Sequence, residues 1–338
     1  MANRSVLIFR RIALFGAVLA FCVVVLGAWV RLSAAGLGCP DWPGCYGHLT
    51  AGQAAEHLDT LEKNQLRRPF VEDKASKEML HRYFAGSLGV VIVVLAAVAV
   101  ANRKNTAQPV KLPLFLVLLV ILQALLGMWT VTLLLKPLIV VLHLLGGLAT
   151  MSLLAWLAMQ PQQSSRGYGD RALRMLAVMG LIMLVIQIAL GGWTSSNYAA
   201  LACPDFPTCQ NSFWPDMDAK DAFVLWRGLG IDYEGGVLNH PARVAIHFVH
   251  RLGAVATALL LAMVSFLAWR RARAGIIQFA GAMVGVVLVG QLLLGPLMVL
   301  RGLPLPLATA HNAFAALLLL SVIRLNRLLW RPSRLSDR

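Results

Sequence analysis

The feature that most limits how this chain can fold is a set of eight apolar runs. They lie near residues 11–32, 81–101, 112–133, 138–158, 174–194, 247–269, 276–298 and 305–325. Each is long enough to cross a hydrocarbon core of about 30 Å as a helix. In lipid a backbone must satisfy its own hydrogen bonds, so continuous runs of this length read as helices. With 59% hydrophobic and 13% charged residues over 338 positions, the composition is that of a polytopic membrane protein. The first run leads into a cysteine loop rather than a small-residue cleavage site, and so reads as a retained helix.

Basic residues set the expected topology. Arg4, Arg10, Arg11, Arg103, Lys104, Lys111, Arg166, Arg171, Arg174, Arg270, Arg271, Arg273 and the group Arg324, Arg327, Arg331, Arg334 and Arg338 crowd one set of helix ends. Lys136 and Arg301 stand alone on the opposite side. The positive-inside rule then places both termini in the cytoplasm (or matrix) and the segments 33–80 and 195–246 outside. All acidic residues but Asp170 and Asp337 fall in those outer segments or at the head of the second span. The net charge of +15 is therefore charge at a lipid bilayer surface. No soluble basic domain is present to make nucleic acid a partner.

The chain also repeats itself. Cys39 and Cys45 in CPDWPGC match Cys203 and Cys209 in CPDFPTC, and each pair follows a span carrying Leu-Gly near its outer end, Leu26-Gly27 and Leu190-Gly191. The repeat predicts an all-α membrane protein whose eight spans form two pseudo-symmetric four-helix bundles, with halves at 1–160 and 161–338. In an oxidising outer compartment each cysteine pair is expected to close as a disulfide. Closing so short a loop stabilises it by roughly 2 kcal/mol. Zinc binding asks for about four ligands at closer spacing and fits less well. A redox-active dithiol is the alternative for Cys39 and Cys45. Cys22, in mid-span, reads as a small core residue. Parts of 48–77 and 212–240, with Trp214, Trp226 and Tyr233, have the mix of charge and aromatics of interfacial helix.

Four histidines follow the same repeat. His81 opens a His-Arg pair and His143 follows 62 residues later; His250 opens another and His311 follows 61 later. Intramembrane ionisable residues are costly and mark function. Two imidazoles in one helical bundle suit the two axial positions of a haem iron. His81 and His250 are expected at helix starts on the outer side. His143 and His311 are expected six residues into theirs, about 9 Å deep. Arg82 and Arg251 could pair with haem propionates or snorkel to the interface. Gln123 and Gln291, each 20 residues before the later histidine, and Gln187 read as interhelical hydrogen-bond partners.

The symmetry breaks at one place. The first half reads Glu78-Met-Leu-His81-Arg82 and the second His247-Phe-Val-His250-Arg251. Glu78 shares a helix face with His81. Such a carboxylate can act as base, nucleophile or cation stabiliser, or can serve only as a helix cap or a salt-bridge partner of Lys77 or Arg82. The asymmetry suggests a reacting haem in the first half and an electron-transfer haem in the second.

Taken together, RLSAAGLGCPDWPGCYG at 31–47, EMLHRYFAGSLG at 78–89, IHFVHRLG at 246–253 and the helices of His143 and His311 resemble the haem A synthase family over essentially the whole chain. The resemblance implies two four-helix halves, the first receiving haem O as substrate and the second keeping a haem B cofactor. It implies oxidation of the C8 methyl of haem O to a formyl group by successive hydroxylations. Carried over, His81 and His143 hold haem O, His250 and His311 hold haem B, and Glu78 is catalytic, with His247 an alternative ligand. The cysteine pairs place the chain in a bacterial branch, in the cytoplasmic (inner) membrane. Haem O synthase, cytochrome oxidase assembly factors and a second copy of the chain are the partners this implies. Two rivals use the same features: a di-haem b-type electron-transfer cytochrome, which needs no carboxylate, and a repeat transporter, whose site would lie nearer the midplane.

Overall fold

The computed structural model describes residues 2–58, 68–106, 108–159, 170–272 and 275–330. Arg166, Arg273, Arg331, Arg334, Arg338, Asp337, the expected boundary at 160/161 and the stretch 59–67 of the first outer segment lie outside them. Among the described residues the chain forms helices and two isolated bridges. In order the helices are α1 (Ala2–Leu32), α2 (Ala51–His57), α3 (Glu72–Ala101), α4 (Lys111–Thr132), α5 (Pro137–Ala158), α6 (Arg171–Ser196), α7 (Ala219–Ala222), α8 (His240–Arg271), α9 (Gly275–Leu300) and α10 (Leu305–Leu329). All but α2 and α7 are long and apolar enough to span a bilayer, giving eight candidate spans in an all-helical, multi-pass membrane protein.

Besides α1, two of these helices begin well before their apolar runs. Glu72 and Asp73 fill the first turn of α3, where negative charge offsets the helix dipole. Asn239 caps α8, its side-chain oxygen accepting from Ala242 N at 2.9 Å, with Pro241 in the first turn. His81 and His250 therefore do not open their helices. They lie nine and ten positions after the first residues, Glu72 and His240. Polar first turns extend a helix without adding hydropathy, which is why the apolar runs place the starts too late. Among the described residues of the two long segments between spans, two short helices form. α2 carries a capping box between Thr50 and Gln53, and α7 is a single turn.

The chain divides into two compact units, each holding four of the eight spans. The first comprises Met1–Ala158, Ser195–Tyr198 and Val224–Leu238; the second comprises Met159–Thr194, Ala199–Phe223 and Asn239–Arg338. In the first, α1 packs on α3 and α5, and α4 packs on both α3 and α5. Its core is large aliphatic side chains such as Ile92, Leu95, Leu116, Met151 and Leu154, all fully buried. Truncating one of these to alanine costs about 2–5 kcal/mol. In the second, α9 packs on α8 and α10. There α6 meets α8 where Gly180 faces Leu261, and meets α10 where Asn326 donates to the Ala177 carbonyl at 3.0 Å. Val90, Leu118, Leu259, Val286 and Leu293 point outward and form the apolar surface a lipid solvent requires.

One segment crosses the sequence repeat. Val224–Leu238 follows the second cysteine pair in sequence, yet it belongs to the first unit. Tyr233 N donates to the Leu134 carbonyl at 3.1 Å, and Arg68 pairs with both Asp232 and Glu234. Lys136, read from sequence as a lone outer charge, is buried, donates to the Gly228 carbonyl and lies 3.4 Å from the Trp226 ring centre. Burial pushes its ammonium below the ordinary lysine pKa.

Candidate functional site

The site is built from a cysteine loop, a helix turn beneath it, and imidazoles below. In the first unit the Cys39 and Cys45 sulfurs are 2.03 Å apart, and in the second those of Cys203 and Cys209 are 1.94 Å apart. Cys22 is free. All four paired cysteines are buried. Each loop is also laced by an aspartate. Asp41 accepts from Tyr46 N at 2.6 Å and Gly47 N at 2.8 Å; Asp205 accepts from Gln210 N at 2.6 Å and Asn211 N at 3.0 Å. The Thr208 hydroxyl, followed by these backbone donors, holds the Asp205 carboxyl down to about 2. Burial first, then the neighbouring Asp41 carboxylate, raises the Tyr46 phenol above its ordinary value.

The His-Arg pairs fasten these loops to the spans. Arg82 donates to the carbonyls of Asp41 (2.9 Å), Pro43 (3.3 Å) and Gly44 and pairs with Glu78. Arg251 donates to the carbonyls of Thr208 (2.7 Å) and Cys203 (2.8 Å) and to His247 Nε2 (3.1 Å). In this structure both guanidinium groups thus serve loop carbonyls, a use the sequence does not reveal. Glu78, 5% exposed, accepts from Cys39 N at 3.0 Å, and His247 Nδ1 takes the matching donor, Cys203 N, at 3.3 Å. Lys77 pairs with Asp73 rather than with Glu78. Glu78 and His247 therefore occupy the same structural place. A carboxylate accepts from both its donors, whereas a neutral imidazole accepts at one nitrogen only.

One turn further in stand the histidines. His81 and His143 both lie in the first unit, and His250 and His311 both lie in the second, so each unit carries its own two imidazoles. Every one of the four rings faces a glycine on another helix. A Cβ at Gly27 would stand 2.9 Å from His81, at Gly191 3.2 Å from His250, at Gly127 3.4 Å from His143, and at Gly295 3.5 Å from His311. These glycines sit inside the repeated strings LG, QALLG and QLLLG, which is the signal by which sequence could have found them. His81, His143 and His311 each have a buried Nδ1 without a hydrogen-bond partner. Half-buried imidazoles, three of them with a buried and unspent nitrogen, and side-chain-free space beside them fit axial ligation of haem.

The glutamines differ between units. Gln187 Nε2 lies 3.0 Å from His250 Nδ1, and Gln291 Nε2 lies 3.2 Å from His311 Nε2. Gln123 is buried with neither amide atom paired. Its amide occupies the hole left by Gly146, where a Cβ would be 1.9 Å from Nε2. The matching position in the second unit is Phe314, whose ring packs over Gly290 and leaves Gln291 beside the histidine.

Residues 10–323 match the family described as Cytochrome oxidase assembly protein, COX15-CtaA. The chain belongs to this family. Within it, a protein named Heme A synthase from Shewanella oneidensis is 41% identical over 322 residues, covering 94% of this chain and 95% of the relative. Proteins of that name from Rhizorhabdus wittichii and Halalkalibacterium halodurans are 26% and 27% identical, over 91% and 79% of this chain and 90% and 76% of theirs. The structure thus sets its paired histidines in a COX15-CtaA protein similar to heme A synthases over nearly its full length.

Proposed function

We propose that this protein is a haem A synthase, an oxidoreductase of haem A biosynthesis. The observation that carries the reading is the pair of like sites that differ at one anchor, Glu78 against His247, in a chain 41% identical to a heme A synthase. His81 and His143 would hold haem O as substrate, and His250 and His311 would hold haem B as a resident cofactor. Haem B, when bound, would supply one-electron transfer for the four-electron conversion of the C8 methyl to a formyl group. The residues do the rest. The four glycines leave room beside the imidazoles, and the cysteine loops close the helix turn above each site. Arg82 and Arg251, which grip those loops, also stand beside the first histidine of each pair, where haem propionates would be neutralised.

Glu78 is the group with chemistry to offer in the first unit. Lying three residues from His81 on one helix face, it can stabilise positive charge developing on a substrate held there, or take a proton from it. Its contacts to Cys39 N and Arg82 favour a second reading, in which Glu78 only anchors the loop and the protein is a di-haem cytochrome. Pigment extraction separates the two. Cells supplied with haem O and expressing this chain should accumulate haem A, and chromatography of the extracted haems should show it. Haem B and unaltered haem O alone would leave the cytochrome.

A further inference from the structure

Position for position, the first histidine of each pair has a different neighbour in the two units. Gln187 stands four residues before Gly191, and the matching place before Gly27 is Val23. Gln187 Nε2 donates to the His250 main-chain carbonyl at 2.9 Å and lies 3.0 Å from the ring Nδ1. One amide therefore ties backbone and ring of the same histidine. Val23 brings His81 no side-chain donor or acceptor, only its main-chain carbonyl, and His81 Nδ1 has no hydrogen-bond partner.

The free atom of the Gln187 amide is as informative. Gln187 Oε1 is buried and unpaired, and it would lie 2.4 Å from a Cβ on Gly253. An imidazole that gives Nε2 to iron carries its proton on Nδ1 and needs an acceptor there. An amide already touching Nδ1, with an unused oxygen, can accept from a protonated Nδ1 by turning over, giving up its bond to the main-chain carbonyl. Ligand histidines held in this way are oriented and made more basic, and losing the partner commonly costs about 10–100-fold in affinity.

We propose that Gln187 is a positioning residue which locks His250 and makes the second unit the site that retains its haem. Val23, at the same place, offers His81 only a main-chain carbonyl and no side-chain partner, so that the first unit can take up one haem and release another. The inference rests on the haem A synthase reading above, in which one site holds a cofactor and the other a substrate that must leave as product.

The test uses the full chain purified in detergent with its haem, and two readouts besides turnover. One is the rate of haem loss to an excess of an apo-globin; the other is the midpoint potential of the bis-histidine haem. Gln187→Met keeps the size of the side chain and removes the amide. It should lose haem B about 10–100-fold faster than wild type and shift the potential upward, because a less basic imidazole favours ferric iron less. Gln187→Glu keeps an acceptor, so it should retain haem B and shift the potential downward. In the converse variant, Val23→Gln, the first unit should release its haem about 10-fold more slowly. Wild-type rates and potential in Gln187→Met, or unchanged release in Val23→Gln, would overturn the role of Gln187. Wild-type protein without any bis-histidine haem would instead overturn the functional reading itself.

Discussion

Replacing Glu78 separates anchoring from chemistry, because the second unit shows what anchoring alone requires. Glu78 has two donors to satisfy, Cys39 N at 3.0 Å and the Arg82 guanidinium, in a place only 5% exposed. In Glu78→Gln one amide oxygen can accept from one of them, and the NH₂ then faces the other. Removing one member of a buried ion pair costs about 3–5 kcal/mol. Arg82 keeps its bonds to the carbonyls of Asp41, Pro43 and Gly44, so the loss belongs at the low end, about 3 kcal/mol. Histidine already does this work at position 247, taking Cys203 N at 3.3 Å and Arg251 Nε at 3.1 Å. Since a neutral imidazole serves one donor at a time, Glu78→His should cost about one hydrogen bond, roughly 1 kcal/mol. If the carboxylate acts on substrate, Glu78→His should nonetheless lower haem A formation on the order of 10²-fold, while both haems still bind. Thermal unfolding of the purified variants gives the stability order, and chromatography of extracted haems gives the activity. Near-normal haem A yield from Glu78→His would refute a chemical role for the carboxylate. Activity that falls only in step with stability across both variants would do the same.

Three further outcomes follow from the same geometry. His250→Ala or His311→Ala should abolish the low-spin haem B spectrum with the fold retained by circular dichroism, and full haem B retention in both would refute the ligand assignment. Mass mapping under non-reducing conditions should link Cys39 to Cys45 and Cys203 to Cys209 with Cys22 alkylated, and Cys203→Ser should cost about 2 kcal/mol of loop stability. The Asp205 carboxyl is held down to about 2, so its stabilisation of the second loop is complete above the ordinary aspartate value of about 3.9 and fades as pH falls through about 2. Protection of the Gln210 and Asn211 amides, read as exchange slower than the intrinsic rate at each pH, should persist to about pH 3 in the native chain and be lost in Asp205→Ala.

Much of the architecture is legible in the residues because hydropathy and repeat spacing are local properties. Eight runs gave eight spans, since length and apolarity alone decide whether a helix suits a bilayer. The cysteine spacing foretold two closed loops, because a short proline-containing turn of six residues can bring two sulfurs together. Where hydropathy is silent the reading fell short. The polar first turns of α3 and α8 hid the true helix starts and with them the positions of His81 and His250 along the helices.

The sequence by itself therefore determined the class of protein and the number of spans. Tertiary structure alone decided what each polar side chain touches. Arg82 and Arg251 grip loop carbonyls, Lys136 is buried beneath Trp226, and Val224–Leu238 serves the first unit although it follows the second cysteine pair. The amides of Gln187 and Gln291 meet imidazoles while that of Gln123 turns into the hole at Gly146. Hydrophobic burial adds up residue by residue and is forgiving of position, so it shows in composition. A hydrogen bond needs its partner within about 3 Å at a favourable angle. Whether it finds one depends on a glycine or a phenylalanine three residues from a histidine, on a different helix from the amide itself.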